Sequence, residues 1–199
     1  MSPGRVPIFP LGTVLFPGGA LPLKIFEQRY LEMTKACLKD NQPFGVCLIR
    51  EGREVGTAAV PEAVGCLASI EQWDMPHPGL FHLVARGGER FRIRDMQVAA
   101  NHLISAAVEP IAPDAPVDAV DLLCREVLQA IVAKVGAERF PAPLRLDDAT
   151  WVGYRLAEVL PLEAKFKQEL LELTDAADRL GRLRALLERQ GLNRQALQD

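Results

Sequence analysis

The side chains able to do covalent chemistry are few, and their spacing assembles no recognisable reaction. Serine occurs only at Ser2, Ser69 and Ser105. The latter two fall in strand-like runs that nominate no base, so the nucleophile–base pair of acyl transfer is not in sight. His77, His82 and His102 are the only histidines. His77 and His82 flank a turn with no cysteine or carboxylate at a ligand spacing, and no zinc site is expected. Asp147 and Asp148 are better placed to cap a helix than to share a proton, and Glu62 near Glu71 implies no cleft. No G-x-x-x-x-G-K-[ST] segment occurs, so the amide cradle and lysine that ATP phosphates need are missing. Gly18-Gly19 and Gly87-Gly88 read as turn formers. The sequence therefore predicts no catalytic residue, no metal ligand and no cofactor.

Two groups remain that could bind rather than react. Arg86, Arg90, Arg92 and Arg94 make a basic cluster on one strand, which is either a phosphate-binding face or a solvated one with its stems laid on apolar surface. Trp73, Met75, Pro76, Pro78 and Phe81, with Leu80, make a dense apolar group around a turn. Buried, the group is core; exposed, it is a contact site for an extended peptide. The proline-rich segment Phe9 to Pro22 carries the same two readings.

Composition narrows the choice. The 199 residues carry a formal net charge of −3, which offers no basic excess for sequence-independent binding to nucleic acid. Hydrophobic residues at 49% and charged residues at 25% are those of a chain that folds without disulfides or metal. Cys37, Cys47, Cys66 and Cys124 sit in apolar stretches, with no C-x-x-C pair among them. They read as reduced thiols in a cytoplasmic protein. Pro3, Pro7, Pro10, Pro17 and Pro22 interrupt the apolar start, so no signal peptide is expected, and no apolar run reaches bilayer length.

The elements that must position these groups divide the chain in two. Val6–Leu11 and Gly19–Ile25 are short apolar runs about a Pro17-Gly18 turn. Tyr30, Met33 and Cys37 then set a helical spacing across Phe26–Lys39, stopped by Asp40-Asn41 and Pro43. Phe44–Arg50 and Glu54–Val60 are expected to form a hairpin about Glu51-Gly52-Arg53. Val64–Met75 and Leu80–Arg86 follow, with Gly87-Gly88 turning the chain into Glu89–Met96. There Phe91 and Ile93 should face the core and the arginines solvent. Leu103–Val108 closes the sheet. Three prolines in residues 109–116 mark a stiff linker. Helical periods then recur over Asp118–Val135, Asp147/Asp148–Leu160, around Phe166–Leu173, and from a Thr174 cap to Gly191, where the terminus frays.

The run PIFPLGTVLFPGGALPL at residues 7–23 is the most specific feature. With Ile25-Phe26-Glu27 and Arg29-Tyr30 after it, it resembles the opening of Lon protease substrate-binding (N-terminal) domains. Gly56-Thr57-Ala58, Gly65-Cys66-Leu67 and the strand Gly88–Ile93 continue the resemblance. So do Leu160-Pro161-Leu162, Lys167–Leu173 and Arg179-Leu180. It implies an α+β fold, with a PUA-like β pseudobarrel over 1–110 followed by a small antiparallel helical bundle over 117–192. It also implies a non-catalytic module for unfolded or extended polypeptides, working with a protease or chaperone in trans. RNA binding through the four arginines, or an enzyme of unrecognised type, are the rival readings.

Overall fold

A computed structural model describes residues 5–117 and 119–191. Among the described residues the first half holds β1 (Val6–Leu11), β2 (Ala20–Ile25), α1 (Gln28–Asp40), β3 (Phe44–Glu51), β4 (Val60–His77), β5 (Leu80–Val98) and β6 (Ile104–Pro110). The second holds α2 (Leu122–Val135), a 3₁₀ turn at Ala137–Arg139, α3 (Ala149–Val159), α4 (Ala164–Glu172) and α5 (Ala176–Arg189). The chain divides into two compact units at Ile111/Ala112, so residues 112–116 of the proline-rich segment go with the helices.

The strands form one sheet in the order β2-β5-β4-β3-β1-β6, and β6 pairs again with β5. That second pairing closes a barrel and leaves β2 hanging on β5 outside the ring. Apart from the parallel pair β1–β3, all neighbours are antiparallel. Shifts of register along β4–β5 bend these two long strands around the closure. Phe91 fills the interior: a Cβ on Gly65 would lie 2.8 Å from its ring, so the strand there must be glycine. The apolar face of α1, with Tyr30, Met33 and Cys37, packs on Phe9, Ile25, Phe44, Phe81 and Leu83. Asn41, left-handed at φ 50°, ends that helix.

Three expectations for this unit need correction. Glu54–Ala59 is not a strand. Its Glu54 carboxylate accepts the Gly12 N–H at 2.7 Å, and Arg29 donates to the Glu54 carbonyl at 3.4 Å, so these groups serve neighbouring chain instead of a ladder. Gly87-Gly88 does not turn the chain, because β5 runs straight through it. Gly87 is instead where the 16–19 loop crosses, its N–H donating to Gly19 and its carbonyl accepting from Gly18. Arg90 does not face solvent with its neighbours; it is buried beside Phe91.

In the helical unit Asp121, Asp148 and Asp175 each accept backbone N–H groups as N-caps. The first begins α2 later than the periodicity predicts, and Asp118 lies outside the described residues. The last replaces the expected Thr174. Gly136, at φ 98°, ends α2. Residues 192–199, expected to fray, also lie outside the described residues. The core of Leu128, Val152, Leu156, Leu170, Leu183 and Leu187 encloses an arginine, Arg179, with no exposed surface. Its guanidinium pairs with Asp114, donates to Leu170 O at 2.9 Å, and lies 4.2 Å from the Tyr154 ring. One side chain thus caps α4, braces α3 and fastens the proline-rich segment.

Candidate functional site

Among the described residues strand β2 is a free edge of the sheet, bonded on one side only, to β5. Gly87 bonds Gly19, so by antiparallel alternation Leu21, Leu23 and Ile25 turn their backbone groups to β5. Ala20, Pro22 and Lys24 therefore present theirs outward, and Pro22 contributes no donor. Beside this edge lies a cavity of about 360 Å³ walled by Phe9, Leu11, Leu21, Leu23 and Ile25. Phe26 and Val55 stand at its rim, 58% and 57% exposed, with Thr13, Glu27 and Glu54.

Tyr30 also lines this cavity, although only 5% of its surface is exposed. Its ring is fixed between Phe9, at 4.1 Å between centroids, and the Arg29 guanidinium, at 4.6 Å. Arg29 is held in turn by Glu27 at 3.0 Å and the His102 carbonyl at 3.3 Å. Burial, partly offset by Arg29, pushes the Tyr30 hydroxyl up to about 12. It stays a protonated donor at neutral pH. Among the described residues nothing accepts its hydrogen bond.

A second, shallower groove of about 700 Å³ runs over Pro22, Leu23, Lys24, Trp73, His82 and Val84. It leads to the arm formed by the ends of β4 and β5. Trp73 and Met75 are 55% and 47% exposed there, and Pro76 and Pro78 are exposed with them. Phe81, grouped with these by sequence, is buried and carries the Trp73 indole edge-on at 5.8 Å. It supports the patch from beneath.

The model of the ATP-dependent protease La (Lon) substrate-binding domain matches residues 5–189. The chain belongs to this family. It is 29% identical to Lon protease 2 of Herpetosiphon aurantiacus and 27% identical to Lon protease of Anaeromyxobacter dehalogenans, each over 94% of its length. It spans only about a quarter of those relatives, 24% and 23%. Among solved structures, the Lon N-terminal domain protein from Xanthomonas campestris superposes with TM-score 0.75 at 36% identity, over 91% of this chain and 97% of that one. The N-terminal domain of Mycobacterium avium complex Lon protease, at 18% identity and TM-score 0.65 over 92% and 96%, shares the fold. The Lon-type α+β architecture implied by the sequence motifs is thus the one observed.

Within this Lon substrate-binding domain the four arginines make no basic groove. Arg86 is bidentate to Glu71, at 3.1 and 2.9 Å, and donates to Gly18 O at 3.0 Å. Arg94 pairs with Glu109, Arg90 is buried, and Arg92 is exposed. His77 and His82 are not brought to any metal-binding set: no group of three or more ligating side chains occurs among the described residues. All four cysteines are buried thiols outside any disulfide. No helix of the described residues is long and apolar enough to cross a membrane. Sequence reasoning missed Phe26, Tyr30 and Val55. The available signal was two large apolar residues, Phe26 and Val55, each next to a glutamate at a predicted element boundary.

Proposed function

We propose that this Lon-family domain binds extended, apolar-rich segments of polypeptide and performs no chemistry on them. The observation that carries the reading is the exposure of Phe26, Val55, Trp73 and Met75 on the β unit. Large apolar side chains held open around a free sheet edge are what a peptide-binding surface requires. The relatives' name, Lon protease, supports a protease or chaperone as recipient of the bound chain. It also supports a cytoplasmic setting. Pairing of Arg86 and Arg94 with carboxylates speaks against the RNA alternative.

The test is titration of a fluorescent, apolar-rich, unstructured peptide, read by anisotropy. Affinity should change little between about 50 and 200 mM salt, because apolar burial releases no counterions. Replacing Arg86, Arg92 and Arg94 by glutamine, with buried Arg90 left intact, should leave it unchanged. Trp73→Ser should weaken it by roughly tenfold or more, as loss of an exposed aromatic anchor does. Steeply salt-dependent binding of RNA, lost in the arginine variant and unaccompanied by peptide binding, would sink the reading.

A further inference from the structure

The cavity beside β2 has the marks of a specific subsite rather than a gap in the fold. At about 360 Å³ it lies at the lower end of the range for ligand sites, roughly 300–1,000 Å³. That is ample room for a large apolar side chain, since a cavity of about 150 Å³ already holds benzene. Its wall is apolar, from Phe9, Leu11, Leu21, Leu23 and Ile25. One nine-tenths-buried polar group faces it, Tyr30, locked by the Phe9 ring and the Arg29 guanidinium. The Tyr30 hydroxyl has no protein partner among the described residues, and its oxygen is not sealed from solvent. Its hydrogen bond is therefore available to whatever enters in place of water. Beside the cavity the outward backbone groups of Ala20, Pro22 and Lys24 offer a strand edge with which another extended chain can pair.

We infer that this cavity receives one leucine- or phenylalanine-sized side chain of an extended polypeptide lying along β2, with the Tyr30 hydroxyl donating to a carbonyl of that polypeptide. The inference rests on the polypeptide-binding reading and adds to it the pocket, the anchor side chain and the polar contact. Trp73 and its groove then serve the flanking residues of the same segment.

The chain has two tyrosines, Tyr30 and Tyr154, and Tyr154 is buried against Arg179 in the helical unit. Tyrosine-selective isotope labelling therefore yields a reporter and an internal control. The probe is a ten-residue peptide of serine, threonine and glycine with a single central phenylalanine. Its addition should shift the ring resonances of Tyr30 and leave those of Tyr154 in place. Tyr30→Phe should weaken binding roughly 3- to 10-fold, the loss of one hydrogen bond. Thr13→Trp adds an indole at the exposed rim without touching the core, and should abolish both binding and the shift. Replacing the probe's phenylalanine by alanine should do the same. If the probe binds but Tyr30 stays unmoved, or if Thr13→Trp binds as well as the parent, the pocket assignment is wrong and the broader reading survives. Failure of this probe and of every apolar-rich peptide to bind overturns both.

Discussion

Replacing Arg179 by leucine tests whether one buried cation organises the helical unit. Neither the Arg179 nor the Asp114 side chain has exposed surface. The substitution leaves the Asp114 carboxylate in the interior with its guanidinium gone, and strips donors from the carbonyls of Leu170 and Leu173. Removing one partner of a buried ion pair costs about 3–5 kcal/mol. For a unit of this size each kcal/mol moves the thermal midpoint by roughly 4–8 °C, so the helical unit should melt at least about 12 °C lower. Tryptophan fluorescence reads this unit selectively: Trp151 is buried in α3, whereas Trp73 of the β unit is already largely exposed. Asp114→Leu combined with Arg179→Leu should be less damaging than the sum of the single changes, because the double variant leaves no stranded charge. A fall of under about 4 °C for Arg179→Leu, equivalent to roughly 1 kcal/mol, would refute the claim that this pair holds the bundle together.

Burial, with a smaller push from Asp40, raises the Cys37 thiol from its ordinary 9.0 to about 11. Burial of Tyr30 likewise raises its hydroxyl from 10.0 to about 12. Both groups keep their protons longer when folded, so the stability they contribute is complete below about pH 9, declines above it, and is lost through pH 11 and 12. Urea midpoints measured from pH 8 to 11 should fall accordingly, and a flat profile would contradict the assignment. The four thiols should be inert to a disulfide reagent in the native state and react together on unfolding. Gly87→Ala puts a Cβ 2.1 Å from the Phe16 carbonyl oxygen and should cost about 2–3 kcal/mol in urea unfolding. Gly88→Ala next to it, with nothing nearer than 3.6 Å, should be tolerated.

Much of the architecture was legible because its signals are local. Pro17-Gly18 and Pro78-Gly79 mark turns, Asp148 marks the start of α3, and the spacing of Tyr30, Met33 and Cys37 marks the buried face of α1. Ordered motifs along nearly the whole chain point to the Lon-type domain. The apolar group that contains Trp73 and Met75 is visible from composition around a turn. Its division from buried Phe81 is not, because alternation tells which residues share a face and not where the core beneath them stops.

What only the tertiary structure decided are features made by residues far apart in the chain. Gly87 reads as a turn until the 16–19 loop is seen crossing it. Arg90 reads as a solvated arginine until the surrounding elements enclose it, and no local pattern marks Arg179 as buried. The Arg179–Asp114 pair spans 65 positions, and neither residue alone announces the other. The cavity at Tyr30 exists because β1, β2, α1 and the 54–55 loop meet there. Hydrophobic period and cap chemistry act over a few residues, and they determine which segments become strands and helices. Cavities, buried charges and free edges depend on how those segments close upon one another, and only the packed chain contains that information.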